Sequence, residues 1–172
     1  MNTPTQIIFQ ITRGKTFFVR ECSKVAYGDD FLGFPDEKEL LKAHLVVELM
    51  ERYRYLPEAI HVGVYLPIKN ETVLYAEIDI VVQDSWRNPF IVIAVEPPQT
   101  YEQNLEYTMR RLFAMAVLMH EKTTPQFLMY YTRWYEGANR KIRQIVVNYR
   151  KYQSFQAWHS AGRPSELDIP VN

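Results

Sequence analysis

The chain has 172 residues, 47% hydrophobic and 14% aromatic, which is enough for one domain with a real core. Twenty Lys and Arg balance twenty Asp and Glu, so net charge offers no overall argument for nucleic acid or membrane partners. The single cysteine, Cys22, excludes an internal disulfide framework and a cysteine-based zinc site and points to a cytoplasmic setting, while no apolar run reaches membrane-spanning length and no secretion signal opens the chain.

Residues 6–12 and 16–21 are β-prone runs around Arg13, Gly14 and Lys15, which predicts an N-terminal hairpin. Gly28, Asp29, Asp30, Gly33 and Pro35 mark 26–35 as loop. A helix is expected over 36–54, ended by the approach of Pro57. Strands are expected at 59–66, 72–83 and 90–96, with turns around Asn70 and over 84–88. A second helix follows over 101–121, where Leu105, Met109, Leu112, Phe113, Ala116 and Val117 repeat at three and four and form a face that packs on the sheet. Strands over 126–132 and 142–149, a short helix over 152–159 and a polar tail expected to be mobile complete the chain. The organisation is one domain: hairpin and loop (1–35), core (36–135), an added strand and short helix (136–160) and tail (161–172). The order helix, three strands, helix, strand is that of an α/β sandwich with a mixed sheet.

Two acids stand out. Asp79 lies inside an otherwise apolar run from Tyr75 to Val82, and Glu96 ends the apolar run that begins at Pro89. A buried carboxylate needs a cation, a proton or hydrogen bonds, and two of them on adjacent strands make a hard-cation site suited to Mg²⁺. Equally, they are strand-end acids paired with arginines or facing water. Glu77, two residues before Asp79, points to the same face. Glu48 aligns with His44 and Arg52 along the edge of the first helix's apolar face, where an i,i+4 pair with Arg52 accounts for it as well as a metal does. The four histidines have no metal-ligand spacing, and neither a phosphate loop nor a serine elbow occurs.

With Gln103 and Tyr107 opening the second helix, these residues and their order resemble the PD-(D/E)XK nuclease superfamily over 36–135, nearest to the N-terminal nuclease domain of type I restriction enzyme motor subunits and to RecB-type nucleases. The resemblance implies a restriction-endonuclease-like fold and Mg²⁺- or Mn²⁺-dependent hydrolysis of DNA. In that scheme Asp79 and Glu96 are metal ligands, Glu48 is a further ligand, and Gln103 and Tyr107 orient the acids, with Arg110 against a phosphate. The chain departs from the pattern where a lysine is expected two residues after the glutamate: that position is Pro98, with no charge and no donor. Arg110 or Arg111 replaces the lysine, Gln99 serves as a neutral substitute, or the site is inactive and the fold binds nucleic acid or a protein, as a homodimer or within a larger restriction or repair complex. Arg140, Lys141 and Arg143, interleaved with aromatics in the last third, combine charge for phosphates with flat rings for bases, and they serve equally as a solvated outer face.

Overall fold

The computed structural model describes residues 37–66, 76–119 and 123–171, together with the backbone of 7–11, 15–20, 24–27, 67–68 and 74–75. The N-terminal hairpin is present as β1 (Ile7–Ile11) and β2 (Lys15–Arg20), paired antiparallel with Phe9 opposite Phe17. A third strand, β3 (Lys24–Tyr27), pairs antiparallel with β2, so the start of the expected loop is strand instead. Val25, Ala26 and Tyr27 form a β-compatible run, but four residues beside a Gly- and Asp-rich stretch give the pattern little length in which to show itself.

The core runs α1 (Glu37–Glu51), β4 (Ile60–Ile68), β5 (Leu74–Gln83), β6 (Pro89–Val95), α2 (Tyr101–Met119), β7 (Phe127–Glu136) and β8 (Asn139–Asn148), followed by α3 (Phe155–Ser160). Strands β4 to β8 form one five-stranded mixed sheet in chain order. Every pairing in it is antiparallel except β6 with β7, which is parallel and spans the crossover helix α2. The strand expected as an addition to the core is the sheet's edge, because β7 and β8 make a hairpin around Gly137 (φ 63°). The fold is α/β, with helices on both faces.

Burial follows from the sequence pattern. In β6, Ile91, Ile93 and Val95 pack toward α1 while Val92 and Ala94 pack toward α2. Only a strand covered on both faces reads as a continuous apolar run. On the α1 side lie Leu41, Leu45, Val46 and Leu49 with Met129 and Tyr131; on the α2 side lie Met109, Leu112, Phe113 and Ala116 with Leu128, Tyr130, Val147 and Trp158. Val117, assigned to the apolar face of α2 by periodicity, is 59% exposed. The tail, expected to be mobile, is docked: Ile169 joins the α1-side core, the Tyr55 hydroxyl donates to Pro170 O at 2.6 Å, and Glu166 N–H donates to Val146 O at 2.8 Å.

Strands β4 and β5 share one irregularity that sets the geometry of the site. Val62 pairs with Ile80 and Val64 with Ile78, and between them Gly63 adopts φ 65°. Strict alternation puts Val62 and Val64 on one face, yet Val62 packs toward α1 and Val64 toward α2; Ile80 and Ile78 divide the same way. Both strands invert their faces at this point, and Asp79 sits at the inversion.

Candidate functional site

Asp79 is 2% exposed, and protein donors engage both of its carboxylate oxygens. Oδ1 meets Lys38 Nζ at 2.9 Å and Lys42 Nζ at 3.4 Å, while Oδ2 accepts the Val95 N–H at 2.9 Å. The last backbone pair between β5 and β6 is Ile80 with Ile93, so beyond it the carboxylate stands in for a strand carbonyl. One further step of that register sets Asp79 opposite Ala94, with Glu96 two residues on.

Lys42 is the centre of the cluster. Only 1% exposed, it reaches Glu39 at 2.7 Å and Glu77 at 3.7 Å besides Asp79. Glu77 thus shares Asp79's face, as the two-residue spacing requires. Burial alone would lower the Lys42 pKa, but Asp79, then Glu39 and Glu77, outweigh it and hold the amine above its ordinary range. An ammonium held that way stays charged at neutral pH and cannot serve as a base. Removing one partner of such a buried pair typically costs about 3–5 kcal/mol, because the other charge is left uncompensated.

Glu96 has different partners. Its Oε1 accepts from Thr100 Oγ1 at 2.6 Å and from Asn104 Nδ2 at 2.7 Å, while its backbone N–H donates to Tyr131 O at 3.0 Å. The acid therefore ties the end of β6 to the first turn of α2, where the positive end of the helix dipole favours a carboxylate. That turn is fixed in turn by Tyr101 and Tyr130, whose rings stack at 4.2 Å and whose hydroxyls each donate to the other's backbone carbonyl. So α1 engages Asp79, whereas α2 engages Glu96.

The other expected site residues are dispersed. Glu48, proposed as a further ligand, is buried beside Tyr131, whose hydroxyl donates to it at 3.2 Å, with Arg52 at 3.4 Å and Arg140 at 3.6 Å. Gln103 and Tyr107 lie on the exposed side of α2, Tyr107 at 69% exposure, and Asn104 and Thr100 make the contacts to Glu96 instead. Arg110 pairs with Glu106 at 2.8 Å and lies 4.1 Å over the Phe155 ring. Arg111 donates to the Glu77 carbonyl at 2.7 Å, and Gln99 donates to Glu37 at 3.2 Å. Arg140, Lys141 and Arg143 line β8, with Glu48, Glu136 and Glu102 as their respective carboxylate partners.

Sequence reasoning missed Lys38 and Lys42. A signal was present: Lys38, Lys42, Leu45 and Leu49 repeat at four, three and four, which sets the lysines in line with the buried leucines. Thr100 and Asn104 had no comparable signal, since their role depends on where β6 ends.

This donor arrangement does not suit Mg²⁺ as it stands. The Asp79 oxygens are taken by two ammonium groups and an N–H, one Glu96 oxygen holds two donors, and among the described residues no group of three or more His, Cys, Asp or Glu is placed to hold a metal. What the cluster does is join α1, β5 and β6 electrostatically. No family model matches this chain, and no curated protein matches it in sequence. Among the described residues no helix is long and apolar enough to cross a membrane.

Proposed function

We propose that the protein is a nuclease-fold module that binds nucleic acid without hydrolysing it. The observation that carries this reading is the engagement of Asp79 by Lys38, Lys42 and the Val95 N–H, which turns both of its oxygens to protein donors. The order of elements and the place of the two acids support kinship with restriction-type nucleases, and Pro98 removes the strand lysine that their chemistry uses. Binding is assigned to the hairpin end of β7 and β8, with Arg140 and Tyr135 on the α1 side and Trp134, Lys141 and Arg143 on the α2 side. Arg140, Lys141 and Arg143 are exposed there, Tyr135 is 59% exposed, and the Arg143 guanidinium lies 5.7 Å over the Trp134 ring. The Lys141–Glu136 and Arg143–Glu102 pairs lie at the surface, where such pairs contribute little and phosphates compete for the cations, whereas Arg140 reaches the buried Glu48.

One observation favours a second reading, Mg²⁺-dependent hydrolysis of DNA. Lys38 and Lys42 bring ammonium groups to Asp79 from the helix, supplying the cation that Pro98 cannot. A single experiment separates the two. Plasmid and single-stranded DNA are incubated with Mg²⁺ or Mn²⁺ and the wild-type protein or Asp79→Ala. Binding is followed in parallel across a salt series with wild type and Arg140→Ala/Lys141→Ala/Arg143→Ala. We expect no metal-dependent cleavage, and binding that falls with salt and weakens in the triple variant with a shallower salt slope. Cleavage abolished by Asp79→Ala would establish the hydrolytic reading, and salt-independent or absent DNA binding would turn the module toward a protein partner, including a second copy of itself.

A further inference from the structure

A cleft of about 270 Å³ lies between α1 and the β7–β8 hairpin. Among its lining residues is Arg133, which is only 7% exposed. Among the described residues no carboxylate lies within ion-pair distance of it. One of its nitrogens donates to the Tyr135 hydroxyl at 2.6 Å, and the guanidinium lies 5.3 Å over that ring. The guanidinium belongs to the cleft's lining, with no buried nitrogen left without a partner. Placing a guanidinium in so enclosed a position without a counter-charge is costly, and an anion in the cleft relieves that cost.

The neighbouring charges are better matched. Arg52 and Arg140 also line the cleft, but Glu48 answers both, at 3.4 and 3.6 Å, and Arg52 reaches Asp168 as well. Among the described lining residues Glu51, at the end of α1, is the other acid beside the three arginines. His44, half-buried in the wall, and Tyr135 complete the titratable groups among the described lining residues.

We propose that this cleft is an oxyanion site for a phosphate group, with Arg133 as the central donor and Arg140 and His44 at its flanks. A planar guanidinium matches phosphate bidentately, and a cleft of this volume admits one phosphate with little else attached. Burial and then Arg133 hold the His44 imidazole down at about 4. A bound phosphate offsets the Arg133 charge and lets the imidazole protonate more readily. The site does not depend on the nucleic-acid reading, with which it shares Arg140 and Tyr135 but not Arg133.

The test is titration calorimetry with inorganic phosphate, combined with an NMR pH titration of the His44 ring protons with and without phosphate. Phosphate should bind and move the His44 midpoint upward. Arg133→Gln, verified as folded by circular dichroism, should weaken binding about tenfold or more and raise the His44 midpoint even without phosphate. Should Arg133→Gln fail to fold, Arg140→Gln replaces it, with a smaller loss expected. A 5′-phosphorylated oligonucleotide and its dephosphorylated twin identify the source. Preference for the phosphorylated form assigns the site to a nucleic-acid end, and equal affinity beside retained phosphate binding assigns it to a free phosphate. An unmoved His44 midpoint, or phosphate binding undiminished in the arginine variant, overturns the proposal. DNA binding lost only in the β8 triple variant bears on the separate reading above.

Discussion

At the scale of single residues the chain carries charges that its interior tolerates in two ways. Lys42 stays charged because acids surround it, whereas His44, two residues on and half-buried beside Arg133, is kept neutral, its pKa lowered to about 4 by burial and then by that arginine. This fixes a pH dependence. An unfolded chain protonates its histidine near 6.5, while the folded chain resists until about 4, so the unfolded state gains protons first as pH falls. The contribution of His44 is complete above pH 6.5 and is lost between there and pH 4, by up to about 2 kcal/mol at pH 5. Urea unfolding at pH 7 and pH 5 should show this loss in the wild type and a flatter response in His44→Gln; equal slopes would remove the assignment. Asp79 was legible from sequence because an acid inside an apolar run is conspicuous. Lys42 was not, because a lysine among the Glu and Lys residues of a helix reads as solvated surface, and only the sheet above it reveals that the residue is buried.

At the scale of elements, the long helices and the apolar strands followed from periodicity to within a few residues, and β7 and β8 extended beyond expectation because hairpin pairing carries polar residues such as Arg140 and Lys141 into the ladder. The inversion of β4 and β5 was not legible, since glycine in a strand signals only a bulge or a close approach. Gly63 makes the inversion possible by adopting φ 65°, where an added Cβ collides with the following carbonyl. Gly63→Ala should therefore destabilise the protein by about 1–2 kcal/mol in denaturant melts, and Gly63→Asn by less. An alanine variant as stable as wild type would show that the strands invert for another reason. The same inversion explains how Glu77 and Asp79 come to face α1 while Ile78 faces α2, and therefore why this acid meets lysines.

At the scale of the whole molecule, the last segment completes both a core and a sheet edge. Ser165 Oγ accepts the Val146 N–H at 2.9 Å and Glu166 N–H returns to Val146 O, so the tail pairs with β8 where the strand is otherwise open. The Tyr53 hydroxyl donates to Asp168, and Ile169 is 4% exposed. Composition concealed this docking: Gly162, Pro164 and Pro170 read as loop, and of the alternating Leu167, Ile169 and Val171 only Ile169 is buried. Deleting residues 164–172 should lower the melting temperature by roughly 5 °C or more and promote association through the uncovered edge, measured by calorimetry and light scattering. An unchanged melting temperature would show the docking to be energetically idle. The sheet's one parallel pairing has a consequence for assembly. Strands β4, β5 and β6 zip together locally, as do β7 and β8, but β6 meets β7 only after the whole of α2 has been threaded between them. Until that closure each half carries a raw strand edge, so the slow, long-range step in folding is also the moment at which the chain is most open to pairing with another molecule.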